Sequence, residues 1–417
     1  MRWSSIGSSS WRLRTVLGSS GECHMLMETL HPKELISFSQ SLGEPDWMVN
    51  LRSSAWERSL LLPWPSFKYG ITMALNARHV DFAGQDFRSA FHRAPVSVNV
   101  EGNAIAGRYS EVPRESQEVL RPYLFQLLKS ANAIDAIHQA LSFDPVLVII
   151  PEGKTANVRL QIPITDRVQC DHVIVVAGPA STLTISDETT SQIPEALHTK
   201  MVEVFVGESA TVRFTSIQNA SRTTTHFTKK IASVAANGRM HWLDCSVGAQ
   251  LAQVEVTTNL DGPGAESKNW GMFFGVGNQQ YDLAGTVFHN APRTIANMLT
   301  KGAVTDHAKA IYRGLMKIAR HAPHSNGFQR ADTLILSENA EADNIPALEI
   351  DNADVKCSHA STIGKVDEEQ LFYLMSRGLS ETEARRMLVR SLFAPLLQAI
   401  DDPSQQLLLQ GLIEERI

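Results

Sequence analysis

The sequence lacks several features that mark membrane proteins, nucleotide-binding proteins and common hydrolases. No apolar run approaches the roughly 20 residues that a membrane helix needs, and the densest one, VLVIIP at 146–151, has the length of a strand. The phosphate-binding pattern G-x-x-x-x-G-K-[ST] is absent, as are G-x-S-x-G and H-E-x-x-H. We therefore expect no membrane span and no nucleotide bound by this chain.

Cysteine is scarce and scattered. The four cysteines, Cys23, Cys170, Cys245 and Cys357, form no C-x-x-C pair, which argues against a disulfide framework and a local zinc site. Scarce, unpaired cysteines fit a reducing compartment, either the cytoplasm or a plastid stroma. Any metal bound here must draw its ligands from distant positions or from another chain. The net charge of −6 gives no reason to expect a nucleic-acid partner.

The first 26 residues are set apart by composition. Residues 1–21 contain seven serines, three arginines and no acidic residue, a composition that resembles an organellar transit peptide and would direct the chain to a plastid stroma. The alternative is a misassigned start, with translation beginning at Met25 or Met27. On both interpretations, residues 1–26 are expected to have no folded role.

Helical patterns precede and follow a strand-rich centre. We predict a helical domain over 27–143, with one helix running through DWMVNLRSSAWERSLL after Pro45 and another from Ser116 to about Leu141. A second helical domain is predicted over 353–417. There Asp367 can cap one helix and Gly378 can end it, Ser380 and Glu383 form a capping box for the next, and Pro395 should kink or end that second helix.

Between 144 and 352 the hydrophobic period changes to two, and three segments align on Gly153, Gly178 and Gly207. Each reads Gly-x-x-small-x-apolar-x-apolar, with an inward set and an outward set. The inward set is Val158, Leu160, Ile162, Leu183, Ile185, Val212 and Phe214. The spacings of 25 and 29 residues favour a mainly β solenoid, a parallel β-helix in which each coil stacks on the last. A β-sandwich is the alternative fold.

Cys357 and His359 are the strongest candidate functional residues. They stand two residues apart in KCSHASTIGKVDEEQLFYL, so in an extended segment they face the same side. Thiolate and imidazole suit iron, zinc and iron–sulfur clusters. The structural alternative is a buried thiol beside a hydrogen-bonded core histidine.

This segment resembles the C-terminal signature of SufD in the SufB/SufD family of iron–sulfur cluster assembly proteins, C-S-H-G-A-T-x-G-x-x-D-E-x-x-L-F-Y-L-x-S-R-G. The matching residues are Cys357, Ser358, His359, Thr362, Gly364, Asp367, Glu368, Leu371, Phe372, Tyr373, Leu374, Ser376, Arg377 and Gly378. The chain departs from the signature at Ala360 and Ser361. SufB usually reads E-H-E-A here, so Cys357 favours SufD.

The resemblance implies a right-handed parallel β-helix core flanked by N-terminal and C-terminal helical domains. It also implies a non-catalytic scaffold subunit that pairs with a SufB-like subunit, or with itself when isolated, and shares a transient iron–sulfur cluster across that interface through Cys357 and His359. An ABC-type ATPase, SufC, would dock on the C-terminal helices and hydrolyse ATP. Residues 308–319 resemble a strand of the family, although their propensity is helical.

His289 is a weaker candidate ligand. It lies in FHNAPRT, which resembles the family's H-x-A-P-x-T segment, and its simpler role is to bond a turn. The sequence has two alternative functional interpretations. One is a SufB-type scaffold that accepts sulfur on a thiol, and the other is a β-helix polysaccharide lyase. A lyase needs clustered carboxylates on one face, whereas the outward set is Arg159, Gln161, Thr182, Thr184, Thr211 and Arg213.

Overall fold

Two β-sheets face each other and build a parallel solenoid with helices at both ends. The structure is a computed structural model that describes residues 30–69, 73–75, 84–92 and 95–417. Segment 1–26, for which no folded role is expected, lies outside the described residues, as does Cys23. No helix in the described part of the chain is long and apolar enough to span a membrane.

The elements follow one another along the chain as helices, then strands, then helices. The helices are α1 (Pro32–Ser41), α2 (Asp46–Ser59), α3 (Arg114–Val119), α4 (Ala133–Leu141), α5 (Glu368–Ser376), α6 (Glu381–Leu397) and α7 (Pro403–Glu414), with a 3₁₀ helix at Phe87–Ala90. The strands before the repeats are β1 (Lys68–Tyr69), β2 (Met73–Ala74), β3 (Ser97–Gly102), β4 (Ile105–Arg108) and β5 (Val146–Ile150). The repeated strands are β6 (Thr155–Ile164), β7 (Val168–Ala177), β8 (Thr182–Ser191), β9 (Leu197–Val206), β10 (Thr211–Asn219), β11 (Thr225–Val234), β12 (Arg239–Ser246), β13 (Leu251–Leu260), β14 (Glu266–Gly275), β15 (Gln280–His289), β16 (Ile295–Val304), β17 (Lys309–Ile318), β18 (Asn326–Ile335), β19 (Glu341–Ile350) and β20 (Lys356–Lys365).

Alternate strands enter alternate sheets. The first sheet has the order β20-β18-β16-β14-β12-β10-β8-β6-β3, and the second has the order β19-β17-β15-β13-β11-β9-β7-β5-β4. Within each sheet the solenoid strands pair in parallel, while β3 and β4 pair antiparallel with β6 and β5 at the N-terminal end. The predicted parallel β-helix with helices at both ends is therefore confirmed.

The apolar core lies between the two sheets, in the lumen of the solenoid. The predicted inward set from Val158 to Phe214 is buried there. Val202, Val204 and Ala232 face it from the second sheet. Because successive side chains of a strand point to opposite faces, the intervening residues face outward, and those of the predicted outward set are exposed or half-buried.

The repeated glycines lie where successive coils touch. A Cβ on Gly207 would come within 2.6 Å of the carbonyl oxygen of Ala177, and one on Gly178 within 2.7 Å of the backbone nitrogen of Glu152. No side chain fits at either position, so the glycines allow the turns to stack closely. Gly178 and Gly207 therefore recur in the sequence where successive coils come into close contact.

The predicted helix from Ser116 to Leu141 is wrong. The chain forms the short α3, which ends at Val119, continues through turns to Phe125 (φ 54°), and starts α4 only after Asn132. The carboxylate of Glu203, buried on β9, accepts hydrogen bonds from the backbone N–H groups of Phe125 and Leu127, both at 2.7 Å. This tertiary contact replaces the helical hydrogen bonds that propensity favours.

The first two C-terminal helices begin where the sequence analysis placed them. The Asp367 side chain caps α5, Ser380 and Glu383 form the capping box of α6, and α7 follows Asp402. Pro395 lies inside α6, which continues to Leu397. The helices pack on the outer face of the first sheet, where Phe393 contacts Phe274.

The solenoid continues beyond residue 352, where the sequence analysis ended it. Residues 356–365 form β20, which pairs in parallel with β18 along its full length. The sequence analysis places these residues in the C-terminal helical domain. The sequence before this strand lacks the Gly-x-x-small-x-apolar-x-apolar motif of the earlier coils, so the repeat does not predict it. Residues 309–318 form β17, so the strand expected from the family resemblance is confirmed.

Candidate functional site

Cys357 and His359 lie on the terminal strand of the first sheet, at the C-terminal end of the solenoid. β20 pairs with β18 on one side and ends the order of its sheet, and β19 ends the order of the other. The two residues share one face of β20, because they stand two apart in an extended strand. The structure therefore places both side chains at an open strand edge.

Cys357 is held against the lumen by another sulfur. Its thiol lies 3.4 Å from Sδ of Met316, a fully buried residue of β17 in the opposite sheet. Gly327, the partner of Cys357 in β18, makes room for both, because a Cβ there would lie 2.0 Å from the Met316 sulfur. Burial raises the pKa of the Cys357 thiol, which disfavours the thiolate form.

His359 is exposed. Its partner in β18 is Gln329, a fully buried residue whose amide nitrogen and oxygen have no hydrogen-bond partner among the described residues. The edge of the solenoid thus has an accessible imidazole beside a buried, unpaired amide.

His289 has a different environment. It is fully buried at the end of β15, where Nδ1 lies 2.7 Å from the Thr294 hydroxyl and Nε2 has no partner in the described structure. Burial lowers its pKa to about 4. Both β17 and β19 separate β15 from the open edge. Its bond to the Thr294 hydroxyl is the one expected of a histidine that holds a turn, and its ligand role stays a prediction.

The donors at the solenoid end do not form a complete metal site within this chain. Among the described residues, no three histidine, cysteine, aspartate or glutamate side chains are grouped so that they could hold a metal ion. An iron–sulfur cluster takes four ligands as a rule. The chemistry of Cys357 and His359 therefore fits a site whose remaining ligands come from elsewhere.

Comparison with known proteins identifies the family. The family model described as "SUF system FeS cluster assembly, SufBD core domain" matches residues 161–392, more than half of the chain. The chain belongs to the SufBD family.

Curated SufBD relatives match over much of the chain. An iron–sulfur cluster assembly SufBD family protein of Staphylococcus saprophyticus is 29% identical over 406 residues, covering 86% of this chain and 86% of the relative. A protein of the same description from Staphylococcus epidermidis is 30% identical over 298 residues, covering 69% of this chain and 63% of the relative. This SufBD chain therefore spans less than two thirds of the second relative.

Cys170 and Cys245, the other cysteines among the described residues of this SufBD chain, are packing residues. Cys245 is fully buried on the outer face of the first sheet, among Val389, Phe393 and other residues under the C-terminal helices. Cys170 is also buried, beneath the N-terminal domain. Burial raises the pKa of Cys170 to about 12 and that of Cys245 further.

Sequence reasoning missed a polar region in the lumen of this SufBD chain. On β9, His198 and Lys200 occupy the inward row that continues with Val202 and Val204. Lys200 donates to Oδ1 of Asp187 at 2.6 Å. The sequence contains a signal for this polar region, because His198 and Lys200 stand at alternate positions with Val202 and Val204 and therefore share their face of the strand.

Two further groups extend this polar region. Lys230 pairs with Asp244 in the lumen, and His198 Nδ1 lies 2.9 Å from Nδ1 of His226. Burial lowers the pKa of His226 well below its ordinary value, with His198 as the next cause. Because these charges are paired, their mutual attraction offsets much of the free-energy cost of burying them. This polar region is separate from Cys357 and His359 at the edge of the solenoid.

Proposed function

We propose that this chain is a SufD-type subunit of a SufB–SufC–SufD complex, a scaffold that aids iron entry and iron–sulfur cluster assembly. The cluster is its cargo. The observation that carries the proposal is the placement of Cys357 and His359 on one face of the terminal strand β20. Two donors at an open edge supply part of a cluster site, and a partner subunit supplies the rest.

The open strand edges support a strand-pairing partner. Terminal strands present unpaired backbone N–H and C=O groups, which readily pair with a strand of another chain. Ile345 and Ile350 on β19 and Ile363 on β20 are exposed apolar side chains beside these edges. A SufB-like subunit would cover them in the heterodimer, and a second copy of this chain would cover them in isolation.

The chain itself has no phosphate-binding motif, so ATP hydrolysis is assigned to a SufC partner. The C-terminal helices support this role because they display apolar side chains that nothing in the described structure covers. Phe372 and Tyr373 on α5 are 73% and 60% exposed, and Met387 on α6 is 46% exposed. We propose these helices as the SufC docking surface and the cytoplasm as the compartment, since Cys170, Cys245 and Cys357 are free thiols.

A SufB-type role in sulfur acceptance is the second candidate. It needs a thiolate that attacks a persulfide, and burial disfavours the thiolate of Cys357. A cysteine desulfurase assay that leaves persulfide on Cys357 would favour this role over a ligand role.

The ligand role is tested in the complex co-expressed with its own SufB-like and SufC-like partners. We would compare wild type, His359→Ala and Cys357→Ala with Ser358→Ala, a control on the opposite face of the same strand. Subunit ratio, iron and acid-labile sulfide are measured together. We expect intact complexes that lose iron and sulfide in the first two variants alone. An intact His359→Ala complex with full cluster content would overturn the assignment.

The docking surface is tested separately by co-purification with the ATPase. Phe372→Asp should reduce the amount of ATPase retained. Leu61→Asp is the matched control, because Leu61 is an even more exposed apolar residue, at 85%, in the N-terminal domain. Equal retention by both variants would remove α5 from the proposed surface.

A further inference from the structure

Gln329 is buried directly beside the candidate ligand His359. The two residues are partners in the parallel pairing of β18 and β20, so their Cα atoms are about 4.8 Å apart and their side chains point the same way. Gln329 is fully buried, and neither atom of its amide has a hydrogen-bond partner among the described residues. A buried amide without partners destabilises a fold, and native proteins keep few of them.

The fold makes specific room for this amide. Its Nε2 lies so close to Gly314 of β17 that a Cβ there would come within 1.7 Å of it. The Gln329 side chain therefore crosses the lumen and lies over the bare backbone of the opposite sheet. A glycine that accommodates an unpaired amide next to a candidate iron ligand points to a role beyond packing.

We propose that Gln329 is a positioning residue for His359. Its amide oxygen accepts a hydrogen bond from one imidazole nitrogen when the ring turns toward the lumen, so that the other nitrogen stays unprotonated and faces the iron. Histidines that bind metals commonly donate their second N–H to such an acceptor, which fixes the tautomer and the ring orientation. This inference rests on the proposed ligand role of His359.

Geometry favours Gln329 over other residues for this role. Cys357, on the same face of β20 as His359, is engaged with Met316. Asn344, another amide at this end, already accepts from the Thr333 hydroxyl at 3.2 Å. Gln329 is the partner of His359 in the neighbouring strand, and neither atom of its amide is bonded within the described part of the chain.

The test uses the co-expressed complex with three substitutions at one position. Gln329→Met keeps the length and removes both polar atoms. Gln329→Asn keeps the amide but shortens its reach, and Gln329→Glu keeps an acceptor oxygen at the same distance. Ser267→Ala is the control, because Ser267 is another buried lumen residue of the same sheet whose hydroxyl has no partner in the described structure.

Three quantities are measured: iron and acid-labile sulfide in the complex, the ¹⁴N coupling of the reduced cluster by pulsed EPR, and the melting temperature of the isolated chain. We expect Gln329→Met and Gln329→Asn to lower cluster content on the order of 10-fold, the usual effect of losing a group that orients a metal-bound histidine. The ¹⁴N coupling should change in any cluster that remains. Gln329→Glu should keep the cluster, and Ser267→Ala should change nothing.

The melting temperature separates positioning from packing. Gln329→Met removes an unpaired buried amide, so the isolated chain should melt at the same or a higher temperature while cluster content falls. Should Gln329→Met fail to fold, the contrast between Gln329→Asn and Gln329→Glu carries the test. Wild-type cluster content and ¹⁴N coupling in both Gln329→Met and Gln329→Asn, with loss in His359→Ala, would overturn this inference alone. Unchanged cluster content in His359→Ala would instead overturn the proposed function.

Discussion

The thiol of Cys357 lies 3.4 Å from the thioether sulfur of Met316, across the lumen at the open end of the solenoid. The contact joins β20 of one sheet to β17 of the other. The thiol is half-buried there, and this burial raises its pKa. The contact depends on Gly327, which has no side chain to separate the two sulfurs.

Replacing Gly327 by alanine should break this contact. The new methyl group would lie 2.0 Å from the Met316 sulfur and 3.1 Å from the Cys357 sulfur, so Met316 must rotate away. Because methionine is flexible, we expect a loss of about 1 kcal/mol in the free energy of unfolding, measured in urea. Cys357 should then alkylate several-fold faster. Gly364→Ala, where nothing lies within 4 Å, is the control, and equal alkylation in the two variants would contradict the prediction.

The three cysteines among the described residues, Cys170, Cys245 and Cys357, should differ from one another in reactivity in the folded chain. Burial raises the pKa of the half-buried Cys357 thiol. It raises the pKa of the fully buried Cys170 to about 12 and that of Cys245 further. Since the thiolate is the reactive form, Cys357 should react first with iodoacetamide at pH 8, and its rate should keep rising above pH 9. Peptide mass spectrometry at several times gives the order. Early labelling of Cys245 would show that the C-terminal helices open readily.

The buried pair of Lys200 and Asp187 should be sensitive to removal of one partner. Lys200→Met leaves the Asp187 carboxylate in the lumen with the Ser216 hydroxyl and no cation bonded to it. We expect a loss of about 3–5 kcal/mol in the free energy of unfolding.

The matched control for this pair is Lys317→Met at the surface. Lys317 lies 2.9 Å from Glu349, and both side chains are exposed. No measurable change is expected there, because solvent screens exposed ion pairs. Similar unfolding curves for the two variants would show that water reaches Asp187.

Stability should fall on mild acidification because of buried histidines. The pKa values of His138 and His226 lie well below the ordinary 6.5, chiefly because both are fully buried. Below pH 6.5 these two histidines bind protons in the unfolded chain but not in the folded chain. The stabilisation is therefore complete above pH 6.5 and is lost as the pH falls, by up to about 1.4 kcal/mol per pH unit for each histidine.

Denaturant unfolding between pH 7.5 and pH 5 measures this slope. His226→Gln should make it shallower, whereas His307→Gln, at an exposed position, should leave it unchanged. A wild-type free energy of unfolding that is constant over this range would show that the folded chain accepts these protons at no cost.

Much of the solenoid and its helical caps was predictable from the sequence, because the signals are local. Alternation of apolar residues from Val158 to Phe214 fixed the inward rows, and the capping residues Asp367 and Ser380 fixed helix starts. The spacing of Cys357 and His359 placed both on one face once the segment was extended. These features depend on residues a few positions apart.

The tertiary structure alone decided the remaining features, because they depend on residues about one coil apart or farther in the chain. Glu203 accepts a hydrogen bond from the backbone N–H of Phe125, inside the segment that propensity assigns to a helix. Pairing with β18 turns the segment around Cys357 into a solenoid strand. The same pairing sets Gln329 beside His359, and Gly314 of the opposite sheet makes room for the amide. Strand register and the pairing of buried polar groups arise from contacts between coils, and local alternation in the sequence does not specify which residues become partners.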